Sequence, residues 1–281
     1  MVKARFDELV WRDDVVSIDG VRFRLYERFD SPPALDDGTY WLFKGPELVS
    51  EYIDVLRKHP DLDVRNLFEL GIWESGSVAF FAKCFLPDKH VAIDLAPHRE
   101  PTWFRRFLKQ ENIESRVRTY WQTDQADDAR LQSLVRREMD GPLDLVIDDA
   151  SHWLEPTSAS VVTLFPLLRP GGLFIVEDWG WHLVPEVRAA FPKEEPGLVP
   201  LIDSIIALMR DEPTLIRSFD LRDHLFAFER GPMPEADARA RLQTRLSPRF
   251  TESPPLLTRM VKGSPAWSMA RRIVRSRQSR T

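Results

Sequence analysis

The chain has 281 residues, 43% of them apolar and 30% charged, enough for one large domain or one domain with appendages. A formal charge of −5 at pH 7 argues against general nucleic-acid binding, which needs a basic surface. One cysteine, Cys84, excludes an internal disulfide and a cysteine-rich metal site. The start, MVKARFDELVWRDD, has no apolar signal core, and no apolar run approaches the roughly 20 residues that span a bilayer. The expectation is a cytoplasmic protein with neither a nucleic-acid nor a membrane partner.

Residues 1–60 read as an appendage, a substrate cap or an oligomerisation element. In VVSIDGVRFRLY, apolar residues alternate on both sides of Asp19-Gly20, a two-residue hairpin signal. SPPALDDG, residues 31–38, reads as a loop. PELVSEYIDVLRK places Leu48, Tyr52, Val55 and Leu56 at helical spacing behind Pro46 in the first turn. From Asn66 short apolar segments alternate with helical ones. Strands are expected over residues 67–70, 90–93, 117–120, 143–147 and 172–176, the pattern of a parallel sheet covered by helices. A helix over residues 156–168 is stopped by Arg169-Pro170-Gly171-Gly172. Strands near 215–219 and 225–229 stand a few residues apart, which suits an antiparallel hairpin at the sheet edge. The fold class is therefore α/β, with the main domain over residues 61–232. Residues 233–281 read as an irregular tail. Beyond Glu252 it holds Arg259, Lys262, Arg271, Arg272, Arg275, Arg277 and Arg280 and no acid, the composition of a solvated segment.

FELGIWESGSVAFF, residues 68–81, is a strand, a glycine-containing turn and a helix. Gly71 and Gly76 would let backbone approach a ligand closely, and the helix start presents free N–H groups. The next strand ends in Asp94, and an acid about twenty positions after such a turn commonly binds ribose hydroxyls. Trp73 replaces the middle glycine of a dinucleotide fingerprint, and the acidic Glu69 suits a cationic cofactor better than a phosphate.

Residues 66–230 resemble the class I S-adenosylmethionine-dependent methyltransferases. ELGIWESGS is similar to their first motif, AIDL to their second, and LLRPGGLFIVED to the segment entering their fifth strand. The resemblance implies a Rossmann-like, mostly parallel seven-stranded sheet with an antiparallel edge hairpin. It also implies that the turn of Glu69, Gly71, Ser75, Gly76 and Ser77 faces the methionine part of S-adenosylmethionine, with Asp148 nearby. Asp94 would bind the ribose, and Asp124 and Gln125 would contact the adenine.

LDLVIDDASHWLEP ends one strand in Asp148 and Asp149 with His152 three residues on, and GGLFIVEDWGW ends the next in Glu177 and Asp178. In the family's sheet order these tips meet. Like charges so crowded would keep some groups protonated unless a cation balances them. Oxygen ligands without cysteine favour a hard ion, Mg²⁺ first, with Mn²⁺ or Ca²⁺ as substitutes. Alternation along the strand points Asp148 away from Asp149. The pattern DDASH followed by ED resembles the metal-dependent sugar O-methyltransferases of macrolide biosynthesis, of the mycinamicin 2''-O-methyltransferase type, and the related cephalosporin hydroxylase and rhamnosyl O-methyltransferase families. Carried over, the resemblance makes Asp149, Glu177 and Asp178 metal ligands and His152 the general base, with Asp149 also in the catalytic set.

These readings imply an O-methyltransferase acting on a hydroxyl of a sugar, a polyol or a glycosylated natural product. His152 would take the proton as the oxygen attacks the methyl group. His182 is a second candidate base, placed by the sequence in a lid segment. Trp73, Trp121, Trp153, Trp179 and Trp181 follow expected strand ends, and their flat faces suit sugar rings or aromatic aglycones. Segments 11–58 and 181–200 are the expected cap and lid, and the hairpin could support a homo-oligomer. The competing readings are a hydroxylase-like enzyme on the same scaffold and a non-catalytic methyltransferase-like partner protein.

Overall fold

The computed structural model describes residues 5–26, 38–97, 100–188 and 196–246. Most of the expected loop at 31–38, part of the expected lid and the basic residues from Arg259 onward lie outside the described residues.

The appendage is a four-stranded sheet, β1 (Val10–Arg12), β2 (Val15–Ile18), β3 (Val21–Leu25) and β4 (Thr39–Leu42), in that order. The hairpin forms at Asp19-Gly20 as expected: φ is +49° and +77°, the signs a type I′ turn requires, and Ile18 pairs with Val21. β4 returns parallel to β3. Helix α1 (Pro46–Arg57) follows, with Leu48, Val49, Tyr52, Val55 and Leu56 buried on one stripe.

The main sheet uses β5 (Asn66–Leu70), β6 (Lys89–Ile93), β7 (Val117–Tyr120), β8 (Leu143–Asp148), β9 (Leu168–Glu177), β10 (Ile216–Leu221) and β11 (Leu225–Arg230). Their spatial order is β10-β11-β9-β8-β5-β6-β7. β5 through β9 run parallel, and β11 is antiparallel to both β9 and β10, so the expected seven-stranded Rossmann-like sheet with its antiparallel edge hairpin is present. The further α-helices among the described residues are α2 (Gly76–Phe85), α3 (Thr102–Gln110), α4 (Asp128–Glu138), α5 (Leu154–Leu164), α6 (Pro185–Arg188), α7 (Val199–Asp211) and α8 (Glu235–Leu246). One core joins the appendage, α1, α2 and α3 to one sheet face, and α4, α5, α7 and α8 cover the other. β5 and β8 are therefore buried along their whole length, which explains their continuous apolar runs. The chain changes direction across the sheet between β5 and β8, where open α/β sheets form their ligand crevice.

Two expectations are corrected. β9 begins at Leu168 rather than residue 172, and α5 ends at Leu164. Leu168 pairs with Leu143, and a bulge, with Gly171 at φ +83°, absorbs the Arg-Pro-Gly-Gly segment into the strand. Asp144 fixes this end by accepting from the Arg65 and Asn66 backbone N–H groups and from Arg169 Nε at 2.6 Å. The second correction is α8, which occupies part of the expected irregular tail. Ala238, Leu242 and Leu246 recur every fourth residue and are buried against the second core.

Candidate active site

β8 and β9 are parallel neighbours with Asp148 opposite Val176, so their carboxyl ends bring Asp149 beside Glu177 and Asp178. His152 stands between two of these acids. Its Nε2 is 3.7 Å from Asp149 Oδ1 and 3.9 Å from Asp178 Oδ2. One ligand atom from each of Asp149, His152 and Asp178 lies within 4.8 Å of the others, a spacing that could hold a metal ion. His152 and Asp178 adopt φ of +59° and +57°, left-handed conformations that cost non-glycine residues on the order of 1 kcal/mol or more and cluster at functional sites. The imidazole is buried, with its ring 4.7 Å from that of Trp181 and Nδ1 3.4 Å from the Glu177 carbonyl oxygen. A proton on Nδ1 directed at that carbonyl leaves the Nε2 lone pair facing the two acids.

Glu177 does not join this group. Its carboxylate accepts from Lys44 Nζ at 2.6 and 2.7 Å and from the Tyr52 hydroxyl, and Lys44 also reaches Asp149 Oδ2 at 3.2 Å. Burial and the Asp149 charge push the Glu177 carboxyl up to about 7, while Lys44 and Tyr52 pull it down. Burial pulls Lys44 down, but Asp149 and Glu177 outweigh it and raise the ammonium above its ordinary range. An ammonium within 2.7 Å of both oxygens is the geometry of an ion pair, so the carboxylate is ionised in this arrangement. Tyr52 is raised, first by burial and then by the Glu177 charge, and stays a hydroxyl donor.

At the turn after β5, the two glycines make close approaches within the protein. A Cβ on Gly71, at φ +96°, would lie 2.1 Å from the Asp149 carbonyl oxygen. One on Gly76 would lie 1.9 Å from that of Trp41. Gly71 thus admits the segment just after β8, and Gly76 admits β4 of the appendage. Asp94 Oδ2 accepts from the Ile72 and Trp73 backbone N–H groups at 2.9 and 3.0 Å, and Oδ1 from Ala96 at 2.8 Å, so this acid closes the turn. Glu69 is buried between His90 Nε2 at 2.9 Å and Ser77 Oγ at 2.5 Å. Ser75 is fully buried at φ +66°, and its Oγ has no hydrogen-bond partner among the described residues. Asp148 turns away from Asp149, accepting from Ser160 Oγ at 2.5 Å and from Gln125 Nε2 at 3.1 Å. Asp124 accepts from the Ala126 N–H at 2.8 Å.

The tryptophans divide by burial. Trp153 is buried, Trp179 donates to the Arg222 carbonyl at 2.7 Å, and Trp73 lies edge-on to Phe43. Trp121 packs against the first core, and Trp181 meets the His152 ring. His182 packs on Gly197, and burial, with Arg188, lowers it to about 4, which weakens it as a base. Lys44 and Tyr52 were missed by sequence reasoning. Tyr52 reads as one member of an apolar helix stripe, and Lys44 carries no local signal, because its role depends on where the appendage packs.

Residues 68–179 match a family model described as a methyltransferase domain. An 8-demethyl-8-alpha-L-rhamnosyl tetracenomycin-C 2'-O-methyltransferase from Streptomyces olivaceus is 41% identical over 112 residues, covering 37% of this chain and 29% of that protein. Mycinamicin VI 2''-O-methyltransferase from Micromonospora griseorubida is 48% identical over 160 residues, covering 51% and 37% respectively. A solved MycE methyltransferase from the mycinamycin biosynthetic pathway, in complex with Mg and SAH, aligns with TM-score 0.50 and 26% identity over 66% of this chain and 49% of that one. The chain thus spans about a third of the length of these curated relatives. The likeness to class I methyltransferases and their sugar O-methyltransferase branch, expected from the motifs, is borne out.

Proposed function

We propose that the chain, with a methyltransferase domain over residues 68–179, moves a methyl group from S-adenosylmethionine to a sugar hydroxyl of a glycosylated small molecule, assisted by a divalent cation. The observation that carries this reading is the convergence of Asp149, His152 and Asp178 at the tips of β8 and β9. The names of the relatives, for a rhamnosyl tetracenomycin and mycinamicin VI, support the acceptor class.

The donor set fits a hard cation. Asp149 and Asp178 offer partly exposed carboxylates, and Mg²⁺ is commonly held by one or two carboxylates with water and substrate oxygens completing the shell. Mg²⁺, or Mn²⁺ in its place, would lower the pKa of the acceptor hydroxyl. His152 Nε2 takes the hydroxyl proton, and the Glu177 carbonyl keeps the ring turned for it. Trp181 covers the imidazole and shields it from water. Lys44 and Tyr52 fix Glu177 at the tip of β9.

The cofactor turn also fits its ligand. The buried Ser75 Oγ offers a hydrogen bond that nothing among the described residues takes up. The turn from Glu69 through Gly71, Ser75, Gly76 and Ser77 would border the methionine part, Asp94 the ribose, and Asp124 and Gln125 the adenine, with Asp148 holding Gln125 in place. S-adenosylmethionine bound there supplies an electrophilic methyl on sulfur, and most of the rate gain comes from aligning it with the acceptor oxygen.

The test is methyl transfer from tritiated S-adenosylmethionine to rhamnosides and to mycinamicin VI. Wild type should label a glycoside, and His152→Ala should lower kcat by about 10²–10⁴ while cofactor affinity stays within a few-fold. Labelling that survives His152→Ala unchanged removes the base from the account. Oxidation of the acceptor in the presence of a reductant, without labelling, favours the hydroxylase-like reading.

A further inference from the structure

We propose that His90 is a positioning residue for the amino-acid end of the cofactor: it holds Glu69, and through Glu69 the Ser77 hydroxyl, at the start of α2. The inference rests on reading the turn after β5 as the cofactor turn, and deepens it.

β5 and β6 are parallel neighbours, with Leu67 opposite His90. Side chains alternate along a strand, so Glu69, two residues beyond Leu67, shares the face of His90. That face packs against α2: Leu67, Val78, Ala79 and Ala92 belong to one apolar core. Among them stand a histidine and a glutamate, each 0% exposed. Their contacts form a chain. His90 Nε2 lies 2.9 Å from Glu69 Oε2, and Ser77 Oγ donates to Glu69 Oε1 at 2.5 Å. His90 Nδ1 is buried and has no hydrogen-bond partner among the described residues. A proton there would be a buried donor without an acceptor, a costly arrangement, so the ring proton belongs on Nε2, directed at Glu69.

Polar groups are expensive to bury among apolar neighbours, and an aliphatic pair at these two positions would fill the face without that cost. What the pair achieves is at its outer end. Glu69 and His90 are enclosed, whereas Ser77 is only half-buried, in the first turn of α2 beside Ser75 and Gly76. A serine hydroxyl rotates to suit its surroundings unless a partner fixes it. Glu69 fixes this one, and His90 on Oε2 keeps the other carboxylate oxygen on Ser77. The chain of contacts thus runs from the interior to the side of the turn that would border the methionine part. The ribose end is held separately, by the Ile72, Trp73 and Ala96 N–H groups on Asp94. A defect at His90 should therefore reach one end of the cofactor and spare the other.

The experiment is calorimetric binding of S-adenosylhomocysteine, and of 5′-methylthioadenosine, which lacks the amino-acid end, to the whole chain. The proteins are wild type, His90→Leu, His90→Gln, Ser77→Ala and His90→Leu/Ser77→Ala. His90→Leu should weaken S-adenosylhomocysteine about tenfold, the scale of one lost hydrogen bond, and leave methylthioadenosine within about twofold. His90→Gln, which keeps an N–H within reach of Glu69, should restore binding to within about threefold of wild type. In the Ser77→Ala background, His90→Leu should cost less than about twofold more, because residues that act through one another do not add. His90→Asn, too short to reach Glu69, takes the place of the leucine variant if that one does not fold. Equal loss of both ligands would make His90 a general support of the fold and overturns the inference. Unchanged S-adenosylhomocysteine binding in His90→Leu overturns it too, as does a full further loss in the Ser77→Ala background. Wild type that binds neither ligand removes the cofactor reading itself, whatever the variants do.

Discussion

The ammonium of Lys44 lies 2.6 and 2.7 Å from the two oxygens of Glu177, and each side chain is only 1% exposed. This pair ties the appendage to the tip of β9. Removing one member of a buried pair leaves an uncompensated charge, whereas removing both is often nearly neutral. Lys44→Met should therefore lose about 3–5 kcal/mol in urea unfolding, and Lys44→Met/Glu177→Gln should regain most of it. Equal losses in the two variants would mean that the pair contributes packing and no electrostatic balance.

Gly71 and Gly76 join parts of the fold that are distant in sequence. A Cβ at either would overlap a carbonyl oxygen, that of Asp149 for Gly71 and that of Trp41 for Gly76. Gly76→Ala should cost about 1–3 kcal/mol by overpacking. Gly71→Ala should cost more, because φ of +96° adds backbone strain to the overlap. Chemical unfolding of the two variants checks the order. A neutral Gly71→Ala would contradict the contact.

Trp181 and Trp153 should separate function from packing. Trp181 lies against His152, so Trp181→Ala should raise acceptor KM while S-adenosylmethionine affinity is preserved. Trp153 is 5% exposed, and its replacement by alanine should lose about 3–5 kcal/mol of stability instead. Steady-state kinetics with calorimetry of cofactor binding distinguishes the two. Parallel losses of acceptor and cofactor affinity in Trp181→Ala would place it outside the acceptor site.

His182 gives stability a pH limb. Burial first, and then Arg188, lower it from 6.5 to about 4. Between these values the unfolded chain binds a proton that the folded chain does not. The contribution is fully present above about 6.5 and is lost as pH falls toward 4. Replacing His182 with leucine should flatten this part of the stability profile. An unchanged slope would assign it to other groups.

Much of the main domain is legible in the sequence, because its strands are short apolar runs and its breaks fall at Gly and Pro. The Asp19-Gly20 hairpin is local chemistry and reads directly. The start of β9 does not, because Arg169-Pro170-Gly171-Gly172 looks like a helix stop and becomes strand only through pairing with β8 and the Arg169–Asp144 contact. α8 is masked by its charge, with only Ala238, Leu242 and Leu246 facing the core. At the site, Asp149, His152 and Asp178 follow from two strand-tip motifs. The partnership of Glu177 with Lys44 joins positions 133 residues apart and has no local signature. The glycines of the cofactor turn invite a ligand-approach reading from sequence, and only the fold reveals the carbonyls of Asp149 and Trp41 that require them.

The most direct test of metal-assisted methyl transfer is a single-turnover assay with labelled S-adenosylmethionine and a glycoside acceptor. It would compare chelator-treated wild type, the same protein with Mg²⁺ restored, and Asp178→Asn. The account predicts labelled product only when Mg²⁺ is restored to wild type, with Asp178→Asn slowed at least tenfold at the same cation concentration. Equal labelling with and without the cation would contradict it, and would leave His152 to act without metal assistance.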